Sequence, residues 1–318
     1  MALVGEPGGQ PVRTPGYRAW PAAHSARAAS REIALPETVV TRHPLNDRFQ
    51  WRDRTGPFQM VSEDQVRCFD HLGYFVLEDA FDADQVRAMV EAIDPLEAQM
   101  EEVLRQQEGG KLFIARANEI TFTTHLVTQS EVLRTLAATS PLRELAGDLI
   151  GPDVRLYWDQ AVYKMPDTAA SFPWHQDNGY AFLEPQQYLT CWIALTDATR
   201  DNGCPWVVPG LHRLGTLAHR LTDTGFVCLE NPPDAVAVPV RAGSVVVFSS
   251  LTPHCTGPNR TDEVRKAYIV QYAPDGATVL MADREGEIQR HPADDAKRQF
   301  PILREGRAVT PERVSAFH

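Results

Sequence analysis

A change of hydrophobic period near Gly151 constrains the fold of this chain more than any other feature. Beyond it, "VRLYWDQAVYKMP", "YLTCWIALTDA", "GSVVVFSS" and "RKAYIVQYAP" are rich in Val, Ile, Tyr, Trp and Thr at a two-residue period, bounded by Gly, Pro, Asn and Asp. Ahead of it the period is helical. Ser62 stands three before Gln65 in a capping-box pattern, Val66, Phe69 and Leu72 follow at helical spacing, and Gly73 ends the run. "YFVLEDA" then reads as a short strand, and Asp82, three before Gln85, opens a second helix carrying Val86, Met89, Val90 and Ile93. A further helix is expected from Ser140, with Pro141 at its first position, to Gly151. Helices first and strands later, without strand-helix alternation, predict an α+β fold whose second half is a sandwich or jelly roll.

The first sixty residues differ from the rest. Between Pro7 and Arg31 there are four prolines, four arginines and no acidic residue, with little to bury. This predicts an N-terminal arm over 1–61, disordered or draped, ahead of one domain over 62–318 whose jelly-roll core spans about 151–275. An Arg-rich, acid-poor start also marks transit peptides, but the prolines spoil the amphipathic helix that such a peptide needs.

Across the 318 residues, 42 acidic side chains against 31 basic ones give a formal charge of -11, which disfavours a nucleic-acid partner. No apolar run approaches the roughly 18 residues of a membrane span, and no secretory signal core is present, so a cytoplasmic protein without a membrane partner is expected. Cys68, Cys191, Cys204, Cys228 and Cys255 are scattered, with no C-x-x-C pair, which argues against a disulfide framework and a structural zinc site.

The chemistry concentrates in "PWHQDNGY". On an extended strand His175 and Asp177 project to one face while Gln176 points away, which is half of a metal site; Asp177-Asn178-Gly179 is equally a turn signal. In "SSLTPHCTGPNR", His254 follows a buried-looking strand, and Cys255 beside it reads as a small buried hydrophobe. Two histidines and one carboxylate, a close pair plus a distant member, are the donor set of a non-haem iron(II) site with open positions. Arg265 lies eleven residues past His254, across a stretch able to reverse the chain. Paired as an antiparallel hairpin, the two strands would show both side chains on one face, giving a carboxylate ligand a bidentate partner. The competing reading is a surface arginine paired with Asp262 or Glu263.

With "WIALTDATRDNGCPWVVPGLHRLG" and the upstream "GYFVLEDAF", these motifs resemble the phytanoyl-CoA dioxygenase (PhyH) family of iron(II)- and 2-oxoglutarate-dependent oxygenases, over about Ser62 to Pro274. The resemblance implies a double-stranded β-helix, cupin-like, with helices packed on one side. It implies iron held by His175, Asp177 and His254, and Arg265 binding the far carboxylate of 2-oxoglutarate. Thr256, Trp192 and Gln160 match further cosubstrate contacts. A lysine that some members use upstream has no counterpart in "FIARANEITF", which offers Arg116 and Asn118 instead.

The implied activity consumes dioxygen and 2-oxoglutarate, releases succinate and carbon dioxide, and hydroxylates a C–H bond of a small-molecule substrate. Retention of Asp177 favours hydroxylation over halogenation; desaturation and cyclisation use the same oxidant. Gln176, Asn178, Tyr180, Phe182, Trp206 and His212 flank the motifs as candidate substrate contacts. No basic cluster suggests a coenzyme A tail, and the Ala-, Arg- and Pro-rich style fits a GC-rich bacterial source and natural-product tailoring. The alternatives are a non-catalytic jelly-roll binder and a cupin-type metal-dependent hydrolase or isomerase, neither of which accounts for Arg265. No G-x-S-x-G, Walker loop or dinucleotide-binding glycine motif supports acyl, phosphoryl or hydride chemistry.

Overall fold

The computed structural model describes residues 40–313. The N-terminal helices form where their caps dictate. Helix α1 (Glu63–Leu72) and helix α2 (Ala83–Arg105) each carry the reciprocal capping box, from Ser62 with Gln65 and from Asp82 with Gln85. Gly73 ends α1 at φ 87°, where a β-carbon would also meet the Thr252 hydroxyl at 2.5 Å, so both backbone conformation and space select glycine. Two shorter helices follow, α3 (Glu131–Ala137) and α4 (Leu142–Leu149). Pro141 stands at the N-cap of α4, not in its first turn.

Two sheets build the core, and two small ones stand apart from them, Arg220–Thr222 with Gly225–Val227 and Phe182–Glu184 with Thr278–Ala282 and Ile288–Pro292. The larger core sheet is antiparallel and runs, neighbour to neighbour, through Tyr74–Leu77, Val245–Ser249, Leu189–Ala194, Arg265–Pro274, Val154–Lys164 and Ile120–Thr124. The smaller core sheet joins Val236–Ala237, Pro205–Val207, His254–Thr256 and Phe172–His175. This is the double-stranded β-helix that the sequence resemblance implied. The large sheet is wider than the stretch 151–275, because Tyr74–Leu77 and Ile120–Thr124 join it from the helical half and Pro301–Arg304 pairs with the start of Val154–Lys164.

Alternation along each strand sorts the side chains into two cores. On Arg265–Pro274, Tyr268, Val270 and Tyr272 pack outward against α1 to α4, while Ala267 and Ile269 face the barrel interior with Trp192, Val246 and Phe248. Helices thus cover the outer face of the large sheet, and its inner face is left to line a site.

Residues 40–61 lie against the body. Asn46 donates to the carbonyls of Leu214 and Thr216, Trp51 packs edge-on to His212, and the backbone N–H groups of Gln59, Met60 and Val61 converge on the Asp148 carboxylate. Residues 1–39, the rest of the expected arm, lie outside the described residues. Among the described residues no helix is long and apolar enough to cross a membrane.

Candidate metal and cosubstrate site

The site lies between the two sheets. His175 closes one strand of the small sheet and stands opposite His254 on the next, their ring centroids 4.1 Å apart. The extended geometry expected of "HQD" does not persist: the strand stops at His175, and Asp177 opens a single 3-10 turn, Asp177–Gly179. The turn still brings the carboxylate back, with Asp177 Oδ1 3.8 Å from His175 Nε2 and 3.7 Å from His254 Nε2. The three ligand-capable atoms lie within 4.8 Å of one another.

The backbone fixes both tautomers. Nδ1 of His175 lies 2.8 Å from the Pro173 carbonyl, and Nδ1 of His254 lies 3.0 Å from the Thr252 carbonyl. A carbonyl only accepts, so each Nδ1 carries the proton and each Nε2 turns a lone pair toward the common centre. Burial, then the neighbouring His254, holds the His175 pKa well below its ordinary value, so the ring stays neutral, as a metal ligand must be. Thr190 donates to Asp177 Oδ2 at 2.5 Å and in turn accepts from the Gln271 amide at 3.3 Å, which orients the carboxylate. His219 accepts the Gln176 backbone N–H and packs where a β-carbon on Gly179 would stand, locking the turn in place.

Arg265 is not in a hairpin with His254. Its strand belongs to the large sheet and the His254 strand to the small one, so the two residues stand on different sheets. The surface reading fails as well. Arg265 is 0% exposed, its Nη1 makes only a long contact of 3.4 Å to the Val162 carbonyl, and its Nε and Nη2 have no protein partner. Its guanidinium stands 5.4 Å from the Trp192 ring, which walls that end of the pocket.

Sequence reasoning missed Lys164. It is fully buried, directly opposite Arg265 in strand register, with Nζ 2.6 Å from the Gly257 carbonyl and 3.4 Å from the Thr256 hydroxyl. Burial, with Arg265 adding to it, pushes the Lys164 ammonium down to about 7; burial also lowers Arg265 to about 10. The nearby thiols do not offset these cations, since burial raises Cys204 to about 11 and Cys255 to about 12 and keeps both neutral. A buried guanidinium with orphaned donors and no facing anion is costly unless a ligand completes it. The three neutral or anionic donors His175, Asp177 and His254 form a set that suits iron(II). The signal for Lys164 was available in "WDQAVYK", where it shares a strand face with Gln160 and Val162.

Of the residues expected to touch substrate, Tyr180 lines the large cavity that reaches His175 and Asp177; Gln160, expected as a cosubstrate contact, lines the same cavity, its Oε1 accepting from the Trp158 indole. The others do not line it. Gln176 is fully buried and bonded to Gly215, Leu217 and Leu251; Asn178 is bonded to Thr216 and Leu183; His212 Nε2 donates to the Asp70 backbone carbonyl at 3.1 Å. Phe182 packs on His43, and Trp206 lies under Arg200. Each is spent on structure because its side chain points away from the interior, which nearness in sequence to a motif does not reveal.

A double-stranded β-helix holding two imidazoles, a carboxylate and a buried guanidinium defines a non-haem iron, 2-oxoglutarate-type oxygenase. The chain belongs to the phytanoyl-CoA dioxygenase (PhyH) family, whose model matches residues 69–267. It is 27% identical over 246 residues to the methylphosphonate hydroxylase of Gimesia maris, covering 76% of this chain and 88% of that protein. Among solved structures, it resembles the non-haem α-ketoglutarate-dependent carbocyclase SnoK from nogalamycin biosynthesis, at TM-score 0.57 and 27% identity over 70% of this chain and 89% of that one. EctD from S. alaskensis with 2-oxoglutarate and 5-hydroxyectoine is similar at TM-score 0.56 and 25% identity, over 78% of this chain and 87% of that one. The protein is accordingly an oxygenase that uses iron, 2-oxoglutarate and dioxygen on a small-molecule substrate.

Proposed function

We propose that His175, Asp177 and His254 hold the iron, that Arg265 clamps the distal carboxylate of 2-oxoglutarate, and that the enzyme hydroxylates an unactivated C–H bond of a small organic metabolite, with succinate and carbon dioxide as co-products. The observation that carries this reading is the pairing of a three-donor cluster within 4.8 Å with a fully buried guanidinium whose Nε and Nη2 lack partners. Bound iron supplies the activation of dioxygen by the cosubstrate. The chain's own groups do the rest. Thr190 and the two backbone carbonyls orient the donors, Trp192 closes one side of the Arg265 pocket, and the aromatic cavity seats the substrate and excludes water. We place its action in the cytoplasm, where free cysteines such as its five persist, with neither nucleic acid nor membrane as partner. The test is succinate formation from 2-oxoglutarate by the iron(II)-loaded enzyme across a metabolite panel. Oxygen-dependent succinate, accelerated by one panel member, is expected; no succinate above the metal-free control overturns the reading.

Lys164 takes a share of the same carboxylate in this reading, which makes cosubstrate binding pH-dependent. Its pKa in the free enzyme is near 7, lowered by burial and by Arg265, and an anion bound beside it raises that value. Facing it are Arg265 and the neutral Cys255, while Arg116 and Glu119 line the small cavity it borders. The bound state therefore holds a proton that the free state loses above about 7, so 2-oxoglutarate affinity is highest below that pH and falls as pH rises. Titration calorimetry at pH 6.5 and 8.5 should find roughly a tenfold weaker Kd at the higher pH, and Lys164→Met should flatten the difference.

A further inference from the structure

The barrel interior is electrically two-ended. At one end stand two basic side chains, Arg265 and Lys164, both buried. At the other, a cavity of about 450 Å³ opens from His175 and Asp177 to the surface, and neither lysine nor arginine is among its lining residues. Its walls are rings in contact: Phe122 with Phe172 at 5.2 Å, Tyr157 with Tyr188 at 5.3 Å, and Phe113 with Tyr180 at 6.4 Å. Phenols are protonated and uncharged at neutral pH. Among the described residues the lining carries one charged side chain, the Asp177 carboxylate, which the proposed iron would neutralise.

We propose that the substrate is an uncharged, largely hydrophobic, ring-bearing molecule that stacks in this cleft, and that small oxyanions and coenzyme A thioesters are not substrates. The inference rests on the oxygenase reading above and narrows its substrate class. Three physical terms carry it. An anion entering the cleft meets aromatic faces and no lysine or arginine to replace its hydration, and iron(II) at the base is already shared by Asp177 and the anionic cosubstrate. The volume falls in the range of drug-sized ligands, so a few-atom oxyanion would leave most of the wall unfilled. Flat rings fit offset and edge contacts with such walls better than an extended acyl chain.

The entrance agrees with the walls. It is formed by the hairpin Lys111–Arg116, whose tip presents Leu112 and Phe113 at 48% and 55% exposure, apolar surface beside the opening. The basic residues of that hairpin are turned aside: Lys111 Nζ and Arg116 Nη2 each donate to the Asp223 carbonyl at 2.9 Å, tying it to the hairpin Arg220–Val227. Phe113 meets Phe226 of that second hairpin at 6.4 Å, so the two hairpins form one apolar rim.

A pair of probes that differ only in charge tests the proposal without turnover. The full-length enzyme, loaded with iron(II) under nitrogen, is titrated with neutral N-phenyl-1-naphthylamine and with 8-anilinonaphthalene-1-sulfonate, the same rings carrying a sulfonate. Saturable fluorescence enhancement by the neutral probe is expected, with the sulfonate at least about tenfold weaker. Phe113→Glu, a change at a half-exposed position, should weaken the neutral probe by a similar factor at unchanged thermal stability. Equal or tighter binding of the sulfonate, indifference of the neutral probe to Phe113→Glu, or faster succinate formation with methylphosphonate or an acyl-CoA would overturn it. Fluorescence needs neither dioxygen nor chemistry, so an enzyme that binds the neutral probe but forms no succinate would refute the oxygenase reading and leave the cleft's selectivity standing.

Discussion

Replacing His254 with alanine should abolish the weak visible charge-transfer band expected when iron(II) and 2-oxoglutarate are added to the enzyme without air, and should remove succinate formation with it. The expectation follows from the count of donors. Only His175, Asp177 and His254 form a ligand-capable cluster among the described residues, so loss of one leaves two protein donors. Changes to outer groups that merely orient ligands lower metal affinity about 10- to 100-fold, and removing a ligand outright should exceed that range. His175→Ala should behave alike, because its Nε2 is equally aimed by a backbone carbonyl. The control is thermal stability of the metal-free proteins. A band that survives in either variant would show that iron sits elsewhere.

Arg265→Ala should divide the two ligands that His254→Ala removes together. The cosubstrate requirement is expected to rise roughly 30- to 5,000-fold, the 2–5 kcal/mol typical of truncating one partner of a buried, hydrogen-bonded charge pair. Iron affinity measured without 2-oxoglutarate should stay within a few fold, since the guanidinium contacts Val162 and Trp192 and none of the three donors. Lys164 remains at the same end of the pocket and keeps some carboxylate affinity, so the loss should be incomplete. Equal loss of iron and 2-oxoglutarate would assign Arg265 to holding the barrel together instead.

Several elements were legible because their causes are local. The capping boxes at Ser62 and Asp82 and the stop at Gly73 involve residues three or four positions apart, and they form as read. "ITFTT" shows the limit of such reading. Its alternation is that of a strand, yet it sits amid helices, and only pairing with Val154–Lys164 makes it part of the large sheet. The same holds for the tail, where Pro301–Arg304 is a strand by virtue of its partner.

At the site, residue chemistry was readable and direction was not. Gln176, Asn178 and His212 stand in or near the motifs in sequence but are bonded into packed structure, whereas Lys164 and the rings of Phe113, Phe122 and Tyr157, outside the motifs, lie buried or line the cavity. Arg265 reaches the pocket by a route the chain order does not suggest, from the opposite sheet.

The sequence by itself determined the donor types, the period of each segment and the family, because those reside in side-chain identity and in spacing along the chain. The tertiary structure alone decided which donors converge, that Lys164 stands opposite Arg265, and that no lysine or arginine lines the cavity beside His175 and Asp177. Those properties come from pairing strands distant in sequence into two sheets, which sets which face of each strand shares a low-dielectric interior and so which charges must find a partner there.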